Sequence, residues 1–197
     1  MTIKICGITR LDDALAAVDA GASAIGFNFH EPSPRYVAPE TAAEIAARLP
    51  ASVWKVGIFV NHSPETIERV AREAGLDVVQ LYRDQAVCGF RVWRARAVDA
   101  GFSAQSVEGE AAEAVLLDTP STKVLGGTGE AFDWSVARGI RKKIVIAGGL
   151  DASNVREAIR TARPWGVDAS SRLESAPGRK DREKVLQFIQ AALAESL

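Results

Sequence analysis

The chain has 197 residues, 47% of them hydrophobic and 25% charged, an ordinary globular composition that can bury one sizeable core. A formal net charge of −1 offers no basic excess to nucleic acid, and no apolar run approaches the roughly 18 residues of a membrane span. The start, MTIKICGITR, lacks the apolar stretch of a signal peptide, and the two cysteines, Cys6 and Cys88, have neither metal-ligand spacing nor the look of a secreted framework, so a soluble, cytoplasmic, single-domain protein over 1–197 is expected.

Strand-length apolar runs alternate with stretches of helical period. The run Ile3–Ile8 precedes a helix in LDDALAAVDAGA, with Leu11, Leu15 and Val18 on one face and Gly21 at its end. Ala24–Phe29 is a second strand, followed by the loop HEPSPRYV and a helix with Pro39 in its first turn. Lys55–Val60 is a third strand, PETIERVAREAG a helix and DVVQL a fourth strand. YRDQAVCGF is too short for a helix, so the link from strand four to strand five, RVWRARAV, is shortened. SAQSVEGEAA gives a short helix, Ala114–Asp118 a sixth strand, and TPSTKVLGGTGEAF a long loop before the short helix DWSVARGI. KIVIAGG, the helix DASNVREAIRTAR, the strand GVDASS and a final amphipathic helix complete the chain. About eight strands in strict alternation give the signature of a lean (β/α)₈ barrel. A doubly wound sheet would more often carry a glycine-rich turn after its first strand, whereas here that turn is CGIT and the glycine pairs come late.

In such a barrel the active site lies where the strands exit. The exits carry Cys6, Asn28 to Arg35, Asn61, Gln80 and Tyr82, Asp118, Gly126–Gly129, Gly148–Gly149, and Asp168 to Ser171. AGGL and DASS, after strands seven and eight, stand where barrels bind phosphate through loop amides and a helix N-terminus; either alone would read as a tight turn. A lone Cys6 reads as a small core residue, and a lone Asp118 as a turn former. At one rim they offer a base and an acid, which suits isomerisation without a cofactor. Arg35, in the proline-stiffened SPRYV, can pair with a carboxylate or phosphate. Lys4 shares a strand face with Cys6 and should point into the barrel one layer below it. A buried ammonium needs a partner, and Asp168 on the neighbouring last strand is expected to supply it, with Gln80 within reach and the positive charge favouring the Cys6 thiolate.

The ordered set KICGIT, GFNF…SPRYV, VGIFVN, VVQL, LLD, GGTGEAFDW, IAGGL…NV and GVDASS.LE..PG.KD resembles the phosphoribosylanthranilate isomerase family of tryptophan biosynthesis from Lys4 to Phe188. The resemblance implies a (β/α)₈ barrel converting N-(5′-phosphoribosyl)anthranilate to 1-(2-carboxyphenylamino)-1-deoxyribulose 5-phosphate by an Amadori rearrangement, without metal or cofactor. It implies that Cys6 is the general base and Asp118 the general acid. It also implies that Arg35 contacts the anthranilate moiety. The phosphate would be held by loops at Gly148–Gly149 and Ser170–Ser171, with help from the GGTG loop containing Gly127; Asp168 joins the substrate-binding set. The implied partner is a small phosphosugar-anthranilate, not a nucleic acid or a membrane. The chain departs from the family pattern where Tyr82 and Arg83 replace a His-Gly, and where Arg172 replaces a glycine after the double serine. Tyr82 and Arg83 are both expected at the pocket rim, and Arg172 either hinders the approach to phosphate or adds a cation. Two other readings are a barrel that binds a phosphate ligand without turnover, against which Cys6, Asp118 and Arg35 together argue, and indole-glycerol-phosphate synthase, whose paired catalytic lysines and glutamates are not seen at the exits.

Overall fold

The computed structural model describes residues 1–120 and 132–195. Eight parallel strands close into a barrel: β1 (Thr2–Cys6), β2 (Ala24–Asn28), β3 (Trp54–Phe59), β4 (Val78–Leu81), β5 (Arg91–Ala97), β6 (Ala114–Asp118), β7 (Lys143–Ile146) and β8 (Gly166–Ala169). Closure pairs β1 with β8, setting Lys4 opposite Asp168. Six α-helices lie between or after them: α1 (Leu11–Ala20), α2 (Pro39–Ala46), α3 (Pro64–Glu73), α4 (Ala104–Glu108), α5 (Val155–Ala162) and α6 (Arg182–Glu195). A short antiparallel hairpin, β9 (Glu174–Ala176) with β10 (Arg179–Lys180), is inserted between β8 and α6.

The local causes are plain. Pro39 and Pro64 open α2 and α3, and Ser63 Oγ accepts the Thr66 N–H at the start of α3. Gly21, at φ +111, closes α1. Along each strand alternate residues face the barrel axis or the helices. Ala24, Val56, Val78, Ala114, Leu116 and Val145 form the inner set; Ile5, Ile25, Phe27, Val79, Leu117 and Ile146 pack outward in the larger core beneath the helices.

Three sequence expectations are corrected in detail. The expected first, seventh and eighth strands run past the observed ends at Cys6, Ile146 and Ala169. Gly7 at φ +73, with Gly148 at +80 and Gly149 at +63, turns two of these exits in a left-handed conformation that no strand continues through. DWSVARGI forms only a 3₁₀ turn at Trp134–Ala137. Between β4 and β5 there is no helix, as the short link suggested, and the charges within β5 find their reason there. Trp93 and Ala95 belong to the inner set, while Arg94 and Arg96 lie on the other face, towards the helix-less link. Arg94 donates to the carbonyls of Arg83 and Gln85, and Arg96 pairs with Glu110 at 2.5 Å and with Asp84.

Candidate active site

Seven strand exits meet over one cavity at the C-terminal end of the barrel. Cys6, Arg35, Asp118, Gly148, Gly149, Asp168, Ser170 and Ser171, all expected from sequence, line it; Gly127 lies outside the described residues, and Asn61 is not among the lining residues. Lys4 is fully buried, and its Nζ lies 2.9 Å from Asp168 Oδ2, so the expected ion pair joins the first and last strands beneath the site. The other oxygen, Asp168 Oδ1, and Gln80 Oε1 are buried without hydrogen-bond partners, leaving two acceptors in the cavity wall.

Room for this arrangement comes from Gly26, which the sequence reading passed over. A Cβ at Gly26 would sit 3.0 Å from Cys6 Sγ and 3.1 Å from Lys4 Cε. The available signal was a glycine in mid-strand, which marks close approach rather than good strand propensity. Gly148 does the same for the acid. A Cβ there would meet Asp118 Oδ1 at 2.8 Å and the Thr119 amide at 2.7 Å.

The titrating groups sense one another. Burial, then the Asp168 charge, pushes the Asp118 carboxyl up to about 6, against the stabilising N–H of Thr119. Burial would lower the Lys4 ammonium, but Asp168 and then Cys6 outweigh it and hold it above its ordinary value. Burial also raises the Cys6 thiol. Lys4 and Lys180 pull it down and Asp168 pushes it up, so the expectation that Lys4 makes Cys6 more acidic than a free thiol is corrected: the cation limits the rise without reversing it.

Arg35 is not the solitary rim cation of the sequence reading. Its Nε and Nη2 donate to Glu174 Oε1 and Oε2 at 2.8 and 2.9 Å. Lys180 Nζ shares Glu174 Oε1 at 2.9 Å and donates to Ser170 O at 3.1 Å. Both partners lay in the quoted LE..PG.KD pattern, but charge alternation in a predicted loop gave no hint that the hairpin folds back over the cavity. Beside the glycine turn, Asn154 Nδ2 donates to Gly149 O at 2.8 Å, fixing the peptide of Gly149. Arg172 lines the cavity with its Nη1 on Asp151 Oδ2 at 2.7 Å, so it brings a cation to the glycine-loop side. Of the other departure, Tyr82 lines the cavity, whereas Arg83 is exposed and outside the lining; the expectation that both face the rim holds for Tyr82 alone. No helix among the described residues is long and apolar enough to cross a membrane.

The profile of the family described as N-(5'phosphoribosyl)anthranilate (PRA) isomerase matches residues 3–191. N-(5'-phosphoribosyl)anthranilate isomerase of Solibacter usitatus is 48% identical over 198 residues, covering 98% of each chain. Among solved structures, phosphoribosyl anthranilate isomerase from Thermotoga maritima superposes with a TM-score of 0.89 at 38% identity, covering 98% of this chain and 99% of that one. A phosphoribosyl anthranilate isomerase in complex with reduced 1-(o-carboxyphenylamino)-1-deoxyribulose 5-phosphate superposes at 0.85 and 37% identity, with the same coverage.

Proposed function

The chain belongs to the N-(5'-phosphoribosyl)anthranilate isomerase family and is an isomerase of tryptophan biosynthesis, and we propose that it works by an Amadori rearrangement with Asp118 as general acid and Cys6 as general base. The observation that carries this reading is the pairing, around one cavity, of a carboxyl raised to about 6 with a thiol whose rise is limited by two ammonium groups. A raised carboxyl holds a proton to give, and a thiolate is the better acceptor of a carbon-bound proton.

The substrate is read as N-(5′-phosphoribosyl)anthranilate, consistent with the reduced product analogue carried by the similar solved structure. Its phosphate would lie at Gly148–Gly149 and Ser170–Ser171, where left-handed glycines leave amides open to close approach. The anthranilate carboxylate would meet Arg35. Asp118 protonates the furanose ring oxygen, the C1′–O bond opens, and a Schiff base forms. Cys6 removes the C2′ proton, and the electrons left behind give an enolamine that tautomerises to the aminoketone. The Lys4–Asp168 pair, beneath the site and felt by both groups, holds the field steady during these transfers.

Thiol and carboxyl titrate in an instructive order. Asp118 loses its proton near 6, below the raised thiol, so the productive form, thiolate with carboxylic acid, is the minority arrangement of the singly protonated pair. The kcat/KM profile is then bell-shaped, with its acid limb set by Asp118 in the free enzyme. An anthranilate-fluorescence assay on freshly prepared phosphoribosylanthranilate tests the reading. Asp118→Asn and Cys6→Ser should each lower kcat by about 10²–10⁴, the range for a lost proton-transfer group. Near-wild-type rates in both would overturn the roles, and ligand binding without turnover in the unmutated chain would favour the non-catalytic barrel.

A further inference from the structure

We propose that Glu174 and Lys180, the facing pair of the β9–β10 hairpin, are positioning residues of the reaction, Glu174 setting the guanidinium of Arg35 and Lys180 tying the same carboxylate to the segment that braces Cys6. The inference rests on the reading of Arg35 as carboxylate binder and Cys6 as base.

The connections run without a gap. The bidentate fork to Glu174 occupies Nε and Nη2 of Arg35, which leaves Nη1 as the nitrogen free of protein partners among the described residues. A ligand carboxylate would therefore meet an edge whose direction Glu174 decides. The stem is also confined: Ser33 Oγ accepts the Arg35 N–H at 3.2 Å, and a Cβ at Gly7 would strike Arg35 Cδ at 2.7 Å. Lys180 carries the constraint onward. Its Nζ holds the Ser170 carbonyl, and Ser170 Oγ donates to Cys6 O at 3.1 Å. Its own N–H is held by Asp13 Oδ2 at 3.0 Å, while Thr9 Oγ1 donates to Gly178 O at 2.6 Å, so the hairpin is stapled to the turn that leaves β1.

Burial gives these contacts weight. The Lys180 and Glu174 side chains are 1% and 5% exposed and that of Arg35 16%, far from the solvated rim where ion pairs contribute little. A hairpin needed only as a staple would not require two cations on one buried carboxylate. Lys180 is also the second ammonium acting on the Cys6 thiol, alongside Lys4.

Two measurements separate positioning from stapling. Glu174→Gln keeps the shape and removes the charge that aligns Arg35; KM should rise about tenfold, the scale of one misaligned charge-assisted contact, with a smaller change in kcat. Lys180→Met, in a Cys88→Ser background, should move the pH midpoint of Cys6 alkylation by iodoacetamide upward. The second readout needs no turnover and so stands apart from the isomerase reading. If either single variant unfolds, the double variant Glu174→Gln/Lys180→Met removes the buried pair as a unit and should still show the raised KM. A wild-type KM in Glu174→Gln or in the double variant, or an unmoved alkylation profile, would overturn the proposal. Arg35→Met tells the two failures apart: a raised KM there beside an unchanged Glu174→Gln leaves the Arg35 reading standing and ends this one, whereas an unchanged KM in Arg35→Met ends both.

Discussion

The two ends of the barrel are built by the same eight strands and could hardly differ more. At the N-terminal end Trp54, Trp93 and Trp165 pack with ring centroids 5.7–5.9 Å apart, two pairs tilted and one edge-on. Arg91 and Lys143 cover Trp54 and Trp165 at 5.1 and 4.9 Å, and Glu113 pairs with both cations. At the C-terminal end the inner positions become Lys4, Asp168 and Gln80, then Cys6, Asn28, Tyr82 and Asp118. The first end gains from apolar area and aromatic geometry, each such pair adding about 0.5–1.5 kcal/mol beyond burial. The second gains little from its buried charges and would be better packed with leucine; its arrangement makes sense as chemistry. One alternation of side chains thus separates a plug from a site within a few residues of each strand.

Breaking the site end should have the largest effect. Lys4→Met leaves Asp168 buried without its partner and should cost about 3–5 kcal/mol of stability in urea unfolding. It also removes a cation from Cys6, so turnover should fall about tenfold for each unit by which the thiol rises. In the double variant Lys4→Met/Asp168→Leu most of the stability should return while turnover stays low. A double variant with restored turnover would make the pair purely structural. Breaking the plug should be the mirror image. Trp93→Ala deletes a fully buried ring and should cost about 3–5 kcal/mol, with kcat/KM of the folded enzyme nearly unchanged. A loss of turnover beyond the loss of folded protein would show that the ends are coupled.

A pH titration sharpens the contrast with a smaller effect. Because the folded Asp118 carboxyl sits near 6 and its ordinary value is 3.8, the native state binds more protons than the unfolded state between them. Its contribution to stability therefore falls as pH rises through that window and is most favourable below it. Asp118→Asn should flatten the slope of unfolding free energy between about pH 4 and 6 relative to wild type, and the same titration of Trp93→Ala should keep the wild-type slope. Parallel curves for wild type and Asp118→Asn would mean that the carboxyl is not perturbed.

The alternation of strands and helices, and even the missing helix after β4, could be read from the sequence because burial period and chain length are local signals. The expected Lys4–Asp168 pair was legible for the same reason: side chains alternate, and a closed barrel makes its first and last strands neighbours. Strand ends were misjudged at Gly7 and Gly148, where a backbone turn interrupts an apolar pattern. The role of Gly26 was missed because its meaning lies in what a neighbouring strand presses against it. Glu174 and Lys180 were missed for a larger reason. Their partners, Arg35 and Ser170, come from different loops, and no periodicity reports a contact across 139 residues.

The smallest expected effect lies at the border of the site, where Tyr82 and Arg83 depart from the family pattern. Tyr82 lines the cavity, and burial, with the charges of Asp118, Cys6 and Asp168, holds its phenol well above its ordinary range. It therefore stays neutral wherever the enzyme is assayed and adds no step to the pH profile. A histidine in its place titrates near neutrality. Tyr82→His should thus add an ionisation to kcat/KM while altering the value at its optimum by less than about tenfold, within the 1.4 kcal/mol that a peripheral contact commands. Arg83→Gly should change neither activity nor, beyond about 0.5 kcal/mol, stability, because the side chain is exposed and the contact to Arg94 uses the backbone carbonyl that glycine also supplies. Measured side by side, the two single variants locate where the chemistry of the C-terminal end stops. A larger effect from Arg83→Gly than from Tyr82→His would move that border outward along the helix-less link.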